Sequence, residues 1–363
     1  MVQKKYVYAF GDENTEGTAE MKNLLGGKGA NLGEMASLGI QVPPGFTIST
    51  EACVYYFQNK NTFPSKLWDE ILSRLKDLEK VLGKNFGDPV NPLLVSVRSG
   101  ARVSMPGMMD TVLNLGLNDT TARGLAKSTK NEWFALDSYR RFIAMFGNVV
   151  LGIPGERFET ILTKKKLKRK IEFDTEFTIQ ELKALIRQFK ALVVRVTGEE
   201  FLEDPMQQLR MAVEAVFNSW NTERARTYRR LNNIPGEWGT AVTVQSMVFG
   251  NMGETSATGV AFTRNPATGE KKFYGEYMLN AQGEDVVAGI RTPNSIEMLE
   301  KDMPEVYQDL VKVYQKLENH YKDMQDLEFT IENQKLFLLQ TRSGKRTAAS
   351  AIKVAIDMVN EGL

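Results

Sequence analysis

Four polar side chains that could do chemistry stand close together near the end of the chain, in the segment MQDLEFTIENQKLFLLQTR. Asp326 and Glu328 are carboxylates, Gln340 is an amide and Arg342 is a guanidinium. Carboxylate and amide oxygens suit a hard cation such as Mg²⁺, and arginine suits a phosphate group. The set is compatible with a Mg-nucleotide platform or with an ordinary solvated face, and these residue types alone favour the ordinary face.

Two β-strands are predicted to position these side chains, because polar and apolar residues alternate on either side of Asn333-Gln334-Lys335. A loop centred on Gln334 brings apolar residues opposite apolar ones and polar residues opposite polar ones. The predicted pairs are Asp326 with Arg342, Glu328 with Gln340, Phe329 with Leu339, and Ile331 with Phe337. A slip of one residue would mix the two faces.

A glycine-rich segment near the start, GGKGANL at residues 26–32, places Lys28 among three glycines. Such a turn lets backbone amides approach an anion, and a helix over Asn31–Leu38 is predicted to follow it. The segment is not a Walker A loop, which requires G-x-x-x-x-G-K-[ST]. Glycine-rich turns with an exposed lysine are common, so the signal alone is weak.

Arg98 stands at the end of a buried strand predicted over Leu93–Val97 and is followed by Ser-Gly. An arginine in this position could hold a phosphate by a two-pronged contact, or could pair with a structural carboxylate. The methionines of the following segment, Met105, Met108 and Met109, are typical of residues that fill gaps in a core.

The remaining chain begins as α/β, becomes helical from Asp119 to about Pro205, and ends rich in strands. Strands are predicted over Gly239–Phe249, Gly259–Asn265 and Lys272–Leu279. The basic run KKKLKRK at residues 164–170 is interpreted as a solvated helix or loop. The single histidine, His320, is predicted to be a surface residue on a charged helix.

The composition indicates an ordinary globular protein. The chain has 363 residues, of which 42% are hydrophobic and 25% charged, and its net charge of +1 does not favour a nucleic acid as partner. Its one cysteine, Cys53, cannot form an intramolecular disulfide. No apolar run approaches the roughly 20 residues of a spanning helix. We therefore expect a soluble, cytoplasmic protein with no membrane contact.

Four groups of residues resemble the pyruvate, phosphate dikinase family, and specifically its N-terminal nucleotide-binding part. They are GGKGANL at 26–32, SVRSGAR with SMPGMMDT at 96–111, GVAFTRNP at 259–266, and LQTR at 339–342. The resemblance implies an α/β (α+β) ATP-grasp fold, multi-lobed and with a helical insertion. The expected divisions are an N-terminal lobe (1–118), the insertion (119–205), the adenine and metal side (206–346) and the start of a linker helix (347–363).

The resemblance also implies roles for individual residues. Lys28, Arg98 and Arg342 resemble phosphate-contacting, catalytic residues, with Arg342 at the terminal phosphate. Asp326, Glu328 and Gln340 resemble nucleotide contacts, with Mg²⁺ on Glu328 and Gln340. Met247 and Val248 correspond to an adenine-facing hinge, through their backbone groups. The segment Thr255–Gly259 is similar to a mobile loop that folds over the phosphates. All these residues are expected to meet around one triphosphate.

The activity that the resemblance implies converts ATP, pyruvate and phosphate into AMP, phosphoenolpyruvate and diphosphate, with Mg²⁺ and a monovalent cation (NH₄⁺ or K⁺). Family enzymes carry the phosphoryl group on a swinging histidine domain, pass it to a barrel domain, and are homodimers. His320 lies in HYKD, which does not match the family's histidine loop. We therefore expect a fragment that binds ATP but does not complete the reaction.

Three alternatives stay open. The first is a phosphoenolpyruvate synthase-like or antibiotic-phosphorylating relative, which would share the fold and differ in its acceptor. The second is a non-catalytic nucleotide-binding module. The third is a nucleic-acid binder that uses residues 164–170.

Overall fold

A computed structural model describes residues 4–288 and 291–363. The chain divides into two compact units. Unit 1 contains the residues up to Ala30 together with Pro44–Met247, and unit 2 contains Asn31–Pro43 together with Val248–Leu363. The four-part division expected from the sequence stays a prediction.

The core of unit 1 is a five-stranded antiparallel sheet with the strand order β1-β2-β7-β5-β6. Its strands are β1 (Val7–Phe10), β2 (Gly45–Ile48), β5 (Val95–Gly100), β6 (Thr111–Leu115) and β7 (Ala241–Ser246). A short parallel pair, β3 (Asn85–Phe86) and β4 (Pro92–Leu93), lies beside it. Every residue of β5 and β7 is buried, including the polar side chains of Arg98 and Gln245.

Nine α-helices begin before β7 in the part of the chain that the structure describes. They are α1 (Lys22–Ser37), α2 (Thr50–Gln58), α3 (Leu67–Leu82), α4 (Asp119–Thr129), α5 (Glu132–Val149), α6 (Gly155–Arg169), α7 (Ile179–Thr197), α8 (Pro205–Ser219) and α9 (Glu223–Leu231). The segment from Asp119 to Pro205 is helical, as predicted. Thr178 caps α7 by accepting from the Glu181 amide, and the Glu181 carboxylate accepts from the Thr178 amide in return.

The basic run at residues 164–170 forms the last turns of α6 and its C-cap residue, Lys170. Arg169 lies 2.7 Å from Glu181, and Lys166 lies 2.5 Å from Asp174. Leu167, in the middle of the run, is 72% exposed. The interpretation as a solvated helix is therefore confirmed.

Unit 2 contains a second five-stranded sheet, with the order β10-β9-β8-β11-β12. The strands are β8 (Ala257–Phe262), β9 (Tyr274–Leu279), β10 (Asn294–Ser295), β11 (Gln325–Glu332) and β12 (Lys335–Ser343). The helices are α10 (Gly283–Ala288), α11 (Leu299–Asp302), α12 (Pro304–Tyr321) and α13 (Ala348–Asn360). His320 lies in the last turn of α12, and its Nε2 lies 2.7 Å from the Oε1 of Glu34. Among the described residues, none of the helices could cross a bilayer.

The hairpin of β11 and β12 confirms the polar pairs and corrects the apolar ones. Asp326 pairs with Arg342 and Glu328 with Gln340, as predicted. Beyond them Phe329 pairs with Leu338 and Ile331 with Leu336, so the predicted pairing with Leu339 and Phe337 is wrong. The turn contains two residues, Asn333 and Gln334, both with positive φ, and a bulge between Glu328 and Phe329 compensates for the shorter turn.

A buried ion pair ties the last helix to the rest of unit 2. Arg264 follows β8 and is fully buried, and its Nη2 lies 2.9 Å from Glu318 and 2.7 Å from Glu361. Lys271 also lies 2.7 Å from Glu361. Val354 and Met358 of α13 pack on Met324. The end of α13 is thus held by both charge and apolar contact.

Candidate functional site

Lys28 lies in the first turn of a helical segment rather than in a loop. The chain turns at Gly26, whose φ of 65° interrupts α1, and it is helical again after that residue. A Cβ at Gly26 would lie 1.9 Å from the Gly100 carbonyl oxygen, so only glycine can be accommodated there. The predicted helix start at Asn31 is therefore too late, because the close approach to Gly100 lets the helix resume earlier.

Lys28 and Arg98 occupy the same face of the sheet in unit 1. Arg98 and Gly100 are two residues apart on β5, so their side-chain directions point to one face. A Cβ at Gly100 would lie 3.7 Å from the Cβ of Lys28. The Gly27 amide donates to the Ala101 carbonyl at 2.8 Å and holds the two segments together. Two cationic side chains are thus brought to one face.

Arg98 is largely buried, and its Nη2 donates to the Oε1 of Gln245 on the neighbouring strand β7. Gln245 is itself buried. The sequence predicts either a phosphate or a structural carboxylate as the partner of Arg98, and the structure adds the side chain of Gln245 as a partner. The register of β5 against β7, with Ser96 opposite Gln245, creates this contact, and no local pattern reveals it.

The segment after β5 is fastened by an arginine from α9. Arg224 bonds to the carboxylate of Asp110, and its Nε donates to the Met108 carbonyl at 3.2 Å. Burial raises the pKa of Asp110, although Arg224 opposes that shift. Met105 is buried in a cluster with Trp220, which confirms its expected packing role.

Met247 and Val248 follow the end of β7. The Met247 amide donates to the Leu94 carbonyl at 2.9 Å and so continues the sheet bonding by one residue. The division of the chain into two units falls between Met247 and Val248. Their contact with adenine stays a prediction.

The structure places only part of Thr255–Gly259 in a loop. Thr255 lies in the turn before β8, and its carbonyl accepts from the Gln334 amide at 2.9 Å. Gly259 lies inside β8, opposite Phe329 on β11 and Tyr277 on β9. A Cβ at Gly259 would lie 2.4 Å from the ring of Phe329, so this glycine is required for sheet packing. The expected loop is therefore wrong from residue 257 onward, whereas the nucleotide-binding role of Thr255 and Gly259 stays a prediction.

The hairpin in unit 2 joins the four polar residues in two cross-strand pairs. The Gln340 Nε2 donates to the Glu328 Oε1 at 3.0 Å, and the Arg342 Nε donates to the Asp326 Oδ2 at 2.6 Å. Asp326 and Gln340 are mostly buried, and Glu328 and Arg342 are partly exposed. The pairs are consecutive on one face, so two carboxylates, an amide and a guanidinium form a single patch.

The donor set of this patch fits a hard divalent cation. With Gln340 Nε2 bonded to Glu328, the amide oxygen of Gln340 and the second carboxylate oxygen of Glu328 remain as oxygen donors. Over residues 4–288 and 291–363, no three His, Cys, Asp or Glu side chains are grouped to hold a metal ion. Mg²⁺ bound to a nucleotide needs only one or two protein ligands, because phosphates and waters complete its shell.

Comparison with known proteins identifies the family. The protein-family model described as "Pyruvate phosphate dikinase, AMP/ATP-binding domain" matches residues 22–79, 59–309 and 303–363 of this chain. Over 360 residues the chain is 57% identical to the chloroplastic pyruvate, phosphate dikinase of Flaveria pringlei, covering 99% of this chain and 38% of the relative. It is 56% identical over 360 residues to pyruvate, phosphate dikinase of Clostridium symbiosum, covering 99% and 41%.

The chain therefore spans about two fifths of the length of these relatives. The mixed helix and sheet architecture agrees with the α/β, ATP-grasp-like class expected for this family. The resemblance found in the sequence motifs is confirmed over nearly the whole chain. This chain belongs to the family of pyruvate phosphate dikinase AMP/ATP-binding domains.

Proposed function

We propose that this chain binds Mg-ATP and is the phosphoryl-donating part of a pyruvate, phosphate dikinase. The observation that carries the proposal is the hairpin patch. In it the Gln340 Nε2 lies 3.0 Å from the Glu328 Oε1, beside the Asp326–Arg342 pair. This patch combines oxygen donors for a cation with an arginine for a phosphate. Membership of an AMP/ATP-binding family supports the choice of nucleotide.

The proposed roles follow from charge. Lys28, Arg98 and Arg342 would offset the negative charge that spreads over the phosphoryl group as it is transferred. Glu328 and Gln340 would hold Mg²⁺, which neutralises phosphate charge when it is bound. Asp326, whose carboxylate accepts from the Arg342 Nε, is a further proposed nucleotide contact. Met247, Val248, Thr255 and Gly259 complete the proposed nucleotide contacts.

The complete reaction is a further part of the proposal. Relatives named pyruvate, phosphate dikinase are about two and a half times as long as this chain. The histidine that accepts the phosphoryl group, the site for inorganic phosphate, a monovalent cation, a homodimer and a cytoplasmic location are all proposed by analogy with the family. The name of the Flaveria pringlei relative includes the word chloroplastic.

Calorimetry with Mg-ATP tests the binding site. Arg98→Ala and Arg342→Ala should each weaken binding by about 10- to 100-fold, since a hydrogen bond to a charged group contributes roughly 1.5–3 kcal/mol. Arg210→Ala is the matched control, because Arg210 is an exposed arginine on α8 paired with Glu214. Unchanged affinity in both site variants, with folding retained, would refute the proposal.

A second measurement separates phosphoryl donation from simple nucleotide binding. The chain is mixed with a separately produced histidine domain of a relative and with ATP labelled on its β- and γ-phosphates. Labelled phosphohistidine is expected. Binding of ATP without any label on histidine would favour a non-catalytic nucleotide-binding module.

A further inference from the structure

Gln245 is a buried residue of unit 1 whose side chain contacts Arg98, a proposed phosphate-binding arginine. Its exposed fraction is 2%, and its Oε1 accepts a hydrogen bond from the Nη2 of Arg98. The two residues lie on adjacent strands and on one face, with Ser96 directly opposite Gln245 and Thr243 directly opposite Arg98. The contact is therefore a diagonal cross-strand pair.

The backbone of Gln245 is held firmly on both sides. Gly45 lies opposite it on β2, and a Cβ at Gly45 would lie 2.8 Å from the Cα of Gln245. On the other side the Ser96 hydroxyl donates to the Gln245 carbonyl at 3.3 Å. The strand therefore cannot shift easily toward either neighbour, and burial of the Gln245 side chain restricts the movement of its amide oxygen, which accepts from Arg98.

We propose that Gln245 is a positioning residue for Arg98 that holds the guanidinium in the orientation required by the phosphates of ATP. This inference rests on the proposed function. An amide suits the task because it orients a guanidinium through a hydrogen bond without adding a negative charge. A carboxylate at the same place would form an ion pair with Arg98 and compete with phosphate for it.

Two substitutions separate this role from the alternatives. Gln245→Met keeps a similar length and removes the acceptor, and it should weaken Mg-ATP binding by roughly fivefold or more. In the background of Arg98→Met the same substitution should have no further effect, because the residue through which Gln245 acts is gone. An equal loss in both backgrounds would mean that Gln245 contacts the nucleotide directly, and would overturn the inference.

Gln245→Glu supplies a readout that a merely structural role would not give. At neutral pH the new carboxylate should pair with Arg98 and weaken Mg-ATP binding by about tenfold or more. As the pH falls and the carboxyl becomes protonated, it is again a neutral acceptor, so the affinity relative to wild type at the same pH should recover. Gln207→Glu, an exposed residue of α8, is the matched control and should equal wild type throughout.

The outcomes also distinguish this inference from the proposed function. If the wild-type chain does not bind Mg-ATP, the proposed function fails. If wild type binds and Arg98→Met weakens binding, but both Gln245 variants behave as wild type, only the positioning role fails. Melting temperatures of all variants verify that each one is folded.

Discussion

At the residue scale, the proposed phosphate contacts depend on the residues that adjoin Lys28 and Arg98 as much as on these two side chains themselves. Lys28 can stand beside β5 because Gly26 turns sharply against the Gly100 carbonyl, and Arg98 is bonded to the amide of Gln245. The residue types were sufficient to select Lys28 and Arg98 as candidates. Their common face follows from the close approach of α1 to β5, which residue types do not reveal.

Adjacent glycines provide a test of that approach. Gly26→Ala should destabilise the protein by at least about 1–3 kcal/mol, since its Cβ would overlap the Gly100 carbonyl and its φ of 65° suits glycine. Gly27→Ala is the control, because its Cβ would meet only the Ala101 oxygen at 3.6 Å. Urea unfolding measures the stability of both variants, and equal stability would contradict the packing of Gly26 against the Gly100 carbonyl.

Glu328 provides a test of the proposed cation site. Glu328→Gln keeps the shape of the side chain and removes its charge, so we expect the advantage of Mg-ATP over metal-free ATP to fall by about tenfold. The measurement is ATP affinity at several Mg²⁺ concentrations. Glu214→Gln, on α8, serves as the control substitution. A variant with an unchanged Mg²⁺ dependence would remove Glu328 from the proposed site.

At the element scale, the hairpin of β11 and β12 shows how two local irregularities cancel. Its turn is one residue shorter than the loop predicted around Gln334, and the bulge after Glu328 restores the predicted pairing at Asp326 and Glu328. The polar patch is therefore in the predicted register although the tip of the hairpin is not. Alternation predicted the pairing of these polar residues correctly, because Asp326, Glu328, Gln340 and Arg342 are separated from the turn by the bulge.

The turn itself can be improved. Gln334 has a φ of 62°, a conformation that costs a side chain other than glycine, and it follows Asn333. Gln334→Gly creates the Asn-Gly pair that two-residue hairpin turns favour, so it should stabilise the protein by roughly 0.5–1 kcal/mol. Lys335→Gly, one position later and inside β12, should destabilise it instead. Thermal unfolding measures both effects, and a lower melting temperature for Gln334→Gly would contradict the assigned turn.

At the scale of the whole molecule, the last helix is part of unit 2 through a long-range ion-pair network. Arg264, fully buried, bonds to Glu318 on α12 and to Glu361 just after α13. Leaving one buried charge of such a network without its partner costs several kcal/mol, commonly 3–5. The position of α13 therefore depends on long-range contacts within unit 2 and not on the local sequence of the helix.

The pH dependence of this network can be predicted. Hydrogen bonds from Arg264 and Lys271 lower the pKa of Glu361 from its ordinary 4.5 to about 2. A carboxyl group with a lowered pKa stabilises the folded state above pH 4.5, and that stabilisation is lost as the pH falls toward 2. Glu361→Gln should therefore unfold at a lower temperature than wild type at pH 7, and the difference should shrink between pH 4.5 and 2. A difference that is constant with pH would contradict the ion pair.

Much of the fold could be predicted from local pattern. Alternation and apolar runs indicated strands that overlap β5, β7, β8 and β9, and they indicated the hairpin of β11 and β12. These predictions succeeded because the period of the side chains and the burial of one face are local properties. The early start of the helix after Gly26 does not follow from local pattern, because the backbone at Gly100, distant in the chain, approaches that glycine. The strand predicted to begin at Gly259 begins at Ala257 in the structure.

The sequence by itself determined the family, the residue types of the candidate site and the polar face of the hairpin, because motifs and alternation are properties of neighbouring residues. The tertiary structure alone decided the bulge that restores the register at Glu328, the face shared by Lys28 and Arg98, and the bond between Arg98 and Gln245. Each of these depends on how strands and helices distant in the chain align, and that alignment results from packing over the whole unit.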